Sequence, residues 1–124
     1  MMTGVERLVS DLRELGFVNL STHQGTDGLQ YAIIAGFEIP DGSFSGRSVD
    51  LAIPAPVDYP RSFGASIHLK ANPHLVPFGH VNGRNVIASG LGVEWQYWSY
   101  RFNLRENNPS SELITQINEI FRKN

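Results

Sequence analysis

The chain contains no cysteine. That excludes a disulfide framework, a thiolate metal site and a thiol nucleophile. Concentrated charge is missing too. Ten Lys plus Arg stand against 12 Asp plus Glu among 124 residues, a formal net charge of −2. A nucleic-acid footprint needs a basic patch or stripe, and an electrostatic membrane patch needs clustered Lys and Arg. Neither class of partner is expected. No apolar run approaches the roughly 20 residues that cross a bilayer as a helix. The opening Met1-Met2-Thr3-Gly4-Val5-Glu6 lacks the basic-then-apolar pattern of a secretory signal. The expected location is cytoplasmic. Metal ligands are sparse: His74 and His80 lie six apart with no cysteine and few carboxylates nearby, which is not a zinc spacing. The glycines from Gly79 to Gly92 do not follow P-loop spacing. No metal or cofactor is expected.

What is present fits one domain over residues 1–124. A chain of this size buries roughly two-thirds of its unfolded surface, enough for a core without covalent staples. Val5, Leu8, Val9, Leu12 and Leu15 recur at helical spacing, and Gly16 follows as a C-terminal stop, so a helix is predicted over Gly4 to Leu15. Ser21 to Gly28 is rich in Ser, Thr, Gly and Asp and reads as a loop. Leu29 to Ile39 reads as one or two buried strand segments. Pro40-Asp41-Gly42-Ser43 is turn chemistry. Val49, Leu51 and Ile53 then alternate with Ser48, Asp50 and Ala52; after a Pro54–Pro60 turn, Ala65, Ile67 and Leu69 alternate with Ser66, His68 and Lys70. This is an antiparallel meander of three strands, or four if the segment after Phe17 joins it.

From Ala71 to Leu91, Pro and Gly break every periodicity, so a long irregular crossing is expected. Asn108-Pro109 is an N-cap and first-turn pair, and Leu113, Ile114, Ile117, Ile120 and Phe121 form a helical stripe. Glu112 near the start and Arg122-Lys123 at the end suit the helix dipole. The order is helix, meander, irregular crossing, helix. It predicts an α+β two-layer sandwich with both helices on one face of the sheet.

Two segments carry a resemblance. One is Pro54-Ala55-Pro56-Val57-Asp58-Tyr59-Pro60; the other is Trp95-Gln96-Tyr97-Trp98-Ser99, which holds both tryptophans. With Gly36-Phe37-Glu38-Ile39-Pro40-Asp41-Gly42, they resemble the ubiquitin-conjugating (E2) superfamily and its RWD relatives, and most closely the bacterial branch called prokaryotic E2 family E. The resemblance covers roughly Leu29 to Phe121. It implies a UBC/RWD-like fold and a place in a bacterial ubiquitin-like conjugation system. The partners it implies are a ubiquitin-like protein and an E1-like activating enzyme. Where the family has Arg and His after the second Trp, this chain has Tyr100 and Arg101. With no cysteine, the thioester step is out of reach.

The resemblance also proposes site residues. His80-Val81-Asn82 looks like the segment that precedes the family's nucleophile, with Asn82 in the place of an oxyanion donor. In the window where the nucleophile would follow, Val86-Ile87-Ala88-Ser89-Gly90, Ser89 alone can form an ester, with His80 or His74 as its base. The plainer alternative makes Ser89 a loop hydroxyl, His80 a surface histidine and Asn82-Gly83 a tight turn. Trp95, Tyr97, Trp98 and Tyr59 form a candidate partner-binding set. The competing reading puts at least one Trp in the core and makes Tyr59-Pro60 a structural turn. Three functions follow. The first is a cysteine-less binding module for a ubiquitin-like protein or its activating enzyme. The second is a transferase carrying that protein as an oxyester on Ser89. The third is an unrelated small α+β protein.

Overall fold

The computed structural model describes residues 3–64, 66–81, 84–103 and 109–123, with the side chains of 80, 81, 84, 85 and 110 left out. Helix α1, Gly4–Glu14, forms where the stripe predicts it. Leu8 and Leu12 are its fully buried positions, and burying each contributes roughly 1.5–3 kcal/mol. The helix ends in a turn that reaches Gly16, whose φ of 104° is the left-handed conformation a helix stop requires. Helix α2, Pro109–Arg122, buries Leu113, Ile117, Ile120 and Phe121. Asn108, the expected cap of α2, lies outside the described residues.

Seven strands follow α1: β1 Leu20–Gln24, β2 Gln30–Glu38, β3 Ser48–Ala55, β4 Ser66–Lys70, β5 Gly79–Val81, β6 Arg84–Ser89 and β7 Gly92–Ser99. They make one sheet in the order β1-β2-β3-β4-β7-β6-β5, and every neighbouring pair is antiparallel. One core cluster joins Leu8 and Leu12 of α1 to Ile34, Leu51, Ile53, Ile67, Leu69, Val86 and Trp98 of the sheet and to the buried stripe of α2. The protein is therefore α+β, an antiparallel sheet with an N-terminal and a C-terminal helix.

Two sequence expectations need correction. Ser21 to Gly28 is not all loop, because Leu20–Gln24 is edge strand β1. Its residues are mostly exposed, so it carries no apolar alternation to reveal it. The Ala71–Leu91 crossing is irregular only as far as Phe78. Beyond that, β5 and β6 form a hairpin, and β6 pairs with β7, which lies against β4. Among the described residues the sheet thus has seven strands rather than three or four. Along β6, Val86 is buried whereas Ile87 and Ala88 are exposed, so the periodic signal is weak.

The Tyr59-Pro60 turn is part of the scaffold. Its peptide bond is cis, and Tyr59 is 1% exposed. The Gly4 amide donates to the Tyr59 carbonyl at 3.0 Å, and the Tyr59 hydroxyl donates to Asp11 Oδ2 at 3.3 Å. Burial, followed by the Asp11 carboxylate, pushes the Tyr59 phenol above its ordinary pKa. Arg7 Nε donates to the same carboxylate at 2.9 Å, so Asp11 keeps a partner if the phenol is lost. Tyr59→Phe is expected to lower stability by about 1 kcal/mol. The measurement is the urea midpoint at unchanged m. A loss above about 3 kcal/mol would mean that the turn depends on this hydroxyl in a way its long hydrogen bond does not explain.

Candidate functional site

The face of the sheet opposite the core carries the chemistry. Register puts Ala52 of β3, His68 of β4, Tyr97 of β7 and Ile87 of β6 in one row across four strands. Ala52 presents only a methyl group. Tyr31 of β2 therefore packs across it, with its ring edge-on to His68 at 4.8 Å. Tyr97 packs edge-on from the other side at 5.2 Å. His68 is left 1% exposed, and its neighbour on the same face, Ser66, is 3% exposed.

Both imidazole nitrogens have partners. His68 Nδ1 lies 2.7 Å from Ser89 Oγ, and His68 Nε2 lies 3.0 Å from Ser66 Oγ. The Leu91 amide also donates to Ser89 Oγ, at 3.1 Å. In the tautomer protonated at Nε2, Ser66 accepts from the ring, Nδ1 is left as an acceptor, and Ser89 donates its proton to it. Burial pushes the His68 pKa down to about 4, opposed weakly by the carboxylate of Asp27. The ring is therefore uncharged at neutral pH and able to take a proton.

Asp27 is fixed by the hairpin between β1 and β2. Its Oδ1 accepts from the Leu29 amide at 3.0 Å and its Oδ2 from the Tyr31 hydroxyl at 2.5 Å. Burial of Tyr31, then this carboxylate, pushes the Tyr31 phenol above its usual range. The same hairpin meets the β6–β7 turn: the amide and the hydroxyl of Thr26 both donate to the Gly90 carbonyl, at 2.9 and 3.0 Å. Glycine at position 90 permits the approach, since a Cβ there would stand 3.1 Å from the Asp27 carboxylate. The tips of two hairpins separated by β3 and β4 thus close on each other beside Ser89.

Between Ala88 and Ser89 the register shifts. Ala88 faces Gln96 whereas Ser89 faces Gly92, which leaves Val93, Glu94 and Trp95 opposite no residue of β6. Bulges of this kind bend a strand and re-aim side chains. Here the bulge borders an open concavity of about 220 Å³, with Ser89, Leu91, Val93 and Thr26 among its walls. A larger groove of about 730 Å³ lies elsewhere, lined by Asp50, Lys70, His74 and Glu94 among others. Lys70 and Glu94 pair there at 3.0 Å.

Ser89 has a histidine beside it, but that histidine is His68. The backbone of His80 pairs with Asn85 of β6, four residues from Ser89, roughly 13 Å along a strand. The His80 side chain and Asn82 lie outside the described residues. His74 lines the larger groove with its ring edge-on to Phe78, and its Nδ1 is buried without a hydrogen-bond partner. Of the candidate partner-binding residues, Trp98 and Tyr59 are each 1% exposed and belong to the core. Their rings are not offered to a partner. Trp95 and Tyr97 are half-buried.

In the sequence, Ser66, His68 and Lys70 alternate with Ile67 and Leu69 and have the pattern of a solvated face. Only the register, which sets Tyr31 and Tyr97 around His68, identifies the site. Among the described residues, no three His, Asp or Glu side chains gather to hold a metal ion, and no helix is long and apolar enough to cross a membrane. Compared with models of protein families, with curated proteins and with solved structures, the chain matches none.

Proposed function

We propose that this chain is an E2-like component of a bacterial ubiquitin-like conjugation system and acts in the cytoplasm. In this reading it is a thiol-free binding module for a ubiquitin-like protein, its E1-like activating enzyme, or both. One arrangement carries the reading. An N-terminal helix and a β1–β4 meander are joined through a Tyr59-Pro60 turn that docks on α1, and Trp98 is seated beneath the C-terminal helix. We read that arrangement as UBC/RWD-like, with β5 to β7 added beyond the meander. The lack of any cysteine favours holding over thioester transfer. Trp95 and Tyr97 retain exposed area, and such rings commonly anchor protein interfaces.

The test is co-expression with the proteins encoded beside this chain. A ubiquitin-like protein or an adenylating enzyme that co-purifies with it, at a stoichiometry that survives salt, is the expected outcome. If neither kind of gene neighbours it, or neither product binds the folded chain, the reading is wrong.

A further inference from the structure

We propose that Ser89 is an acyl-accepting nucleophile, that His68 takes its proton, and that Ser66 is a positioning residue for His68. The inference does not rest on the partner reading above. It rests on one chain of contacts, Ser66 Oγ–His68 Nε2 at 3.0 Å and His68 Nδ1–Ser89 Oγ at 2.7 Å, which ends at a hydroxyl that borders a concavity.

Nucleophile and base lie within hydrogen-bond reach, and a third group orients the base. That is the arrangement an activated hydroxyl requires. A buried histidine needing only to be satisfied would be served by any two polar groups. Here one of the two lines a solvent-open cavity, and the tips of two hairpins close next to it through Thr26 and Gly90. The Leu91 amide occupies one lone pair of Ser89 Oγ, which favours aiming the hydroxyl proton at Nδ1. The groups packed on His68 are Tyr31 from β2, Tyr97 from β7 and Ser89 from β6, with Asp27 the nearby charge and small Ala52 on β3. Lys70, two residues along β4, is engaged by Glu94.

The substrate class is a carboxylic ester with a good leaving group. Ser89 Oγ attacks the carbonyl carbon, and a new C–O bond forms as the bond to the leaving oxygen breaks. The hydroxyl proton passes to His68 Nδ1 and then to the departing oxygen. The products are a serine ester and a free alcohol, with no net oxidation. Asp27 is the charge that favours the transient imidazolium. Water then discharges the ester.

The experiment uses p-nitrophenyl acetate as the acyl donor, intact mass as the readout and peptide mapping to locate the adduct. The folded wild type is expected to gain one acetyl group, on Ser89. Ser89→Ala gains none. His68→Gln keeps a polar atom towards Ser66 but removes the base, and slows acetylation roughly 10²-fold. Ser66→Ala also slows it, and Ser66→Thr restores the rate, which a merely structural role would not do. Because His68 is deprotonated above about pH 4, the rate should be flat through neutral pH rather than rise with hydroxide. The proposal is overturned by an absence of adduct, by an adduct only at other residues, or by unchanged acetylation in Ser89→Ala. If His68→Gln fails to fold, the Ser66 pair and the pH profile decide in its place. A rate that rises with hydroxide overturns the assignment of His68 as base, and a Ser66→Ala rate equal to wild type overturns that of Ser66 as its positioning residue.

Discussion

Trp98→Ala is expected to remove about 3–5 kcal/mol of stability, the range for truncating a fully buried large aromatic. The Trp98 ring holds two parts of the fold together. On the sheet it pairs with Ile67 of β4 and Val86 of β6, and across the core it lies 6.0 Å from Phe121 of α2. Its indole N–H donates to Gln96 Oε1 at 3.2 Å, and the Gln96 amide nitrogen in turn donates to the Val76 carbonyl at 2.9 Å. Truncation therefore opens a cavity beneath α2. It also leaves a buried amide oxygen short of a donor, which adds a desolvation penalty of about 1–3 kcal/mol. Domains this small have about 5–15 kcal/mol in total, so the variant should lose most of its margin. Urea unfolding followed by far-ultraviolet circular dichroism measures this. Trp95→Ala, at a half-buried position, should be milder. A Trp98→Ala loss below about 1 kcal/mol would mean that α2 is not seated on this ring.

Acid should weaken the fold through His68. Its folded pKa, about 4, lies below the ordinary histidine value of 6.5 because burial disfavours the charged ring. The unfolded chain therefore binds the proton first as the pH falls. The stabilising difference is complete above about pH 6.5 and is lost progressively down to about pH 4. At 1.36 kcal/mol per unit, that shift corresponds to about 3 kcal/mol. Carboxylates titrate at the lower end of the same window, so the diagnostic quantity is the difference between wild type and His68→Gln. Urea midpoints at pH 7 and pH 4.5 should fall much further in the wild type than in the variant. Equal falls would place the acid sensitivity elsewhere.

Sequence alone disclosed the two helices and the β2–β4 meander because each buries one periodic face. Leu8 and Leu12 recur at helical spacing, and Leu51, Ile53, Ile67 and Leu69 alternate. It did not disclose β1, whose residues face solvent on nearly every side. Nor did it disclose the β5–β6–β7 extension, where Gly79, Gly90 and Gly92 sit at strand ends and bends rather than marking irregular chain. At the candidate site, Ser89 was legible as the one hydroxyl in its window. Its partner was not. His68 is 21 residues upstream of Ser89, and it meets Ser89 only because β7 lies between β4 and β6 and the β6–β7 register shifts next to Ser89. A base brought in by strand order leaves no spacing signature in the chain.

The most direct measurement is a calorimetric titration of a purified ubiquitin-like protein, taken from the genes beside this chain if one is found there, into the wild type and into Trp95→Ala. A one-to-one complex is expected with the wild type. Affinity should be at least about ten-fold weaker in the variant, the loss of a modest aromatic anchor. A folded wild type that takes up neither that protein nor its adenylating enzyme would contradict a conjugation scaffold that works without a thiol.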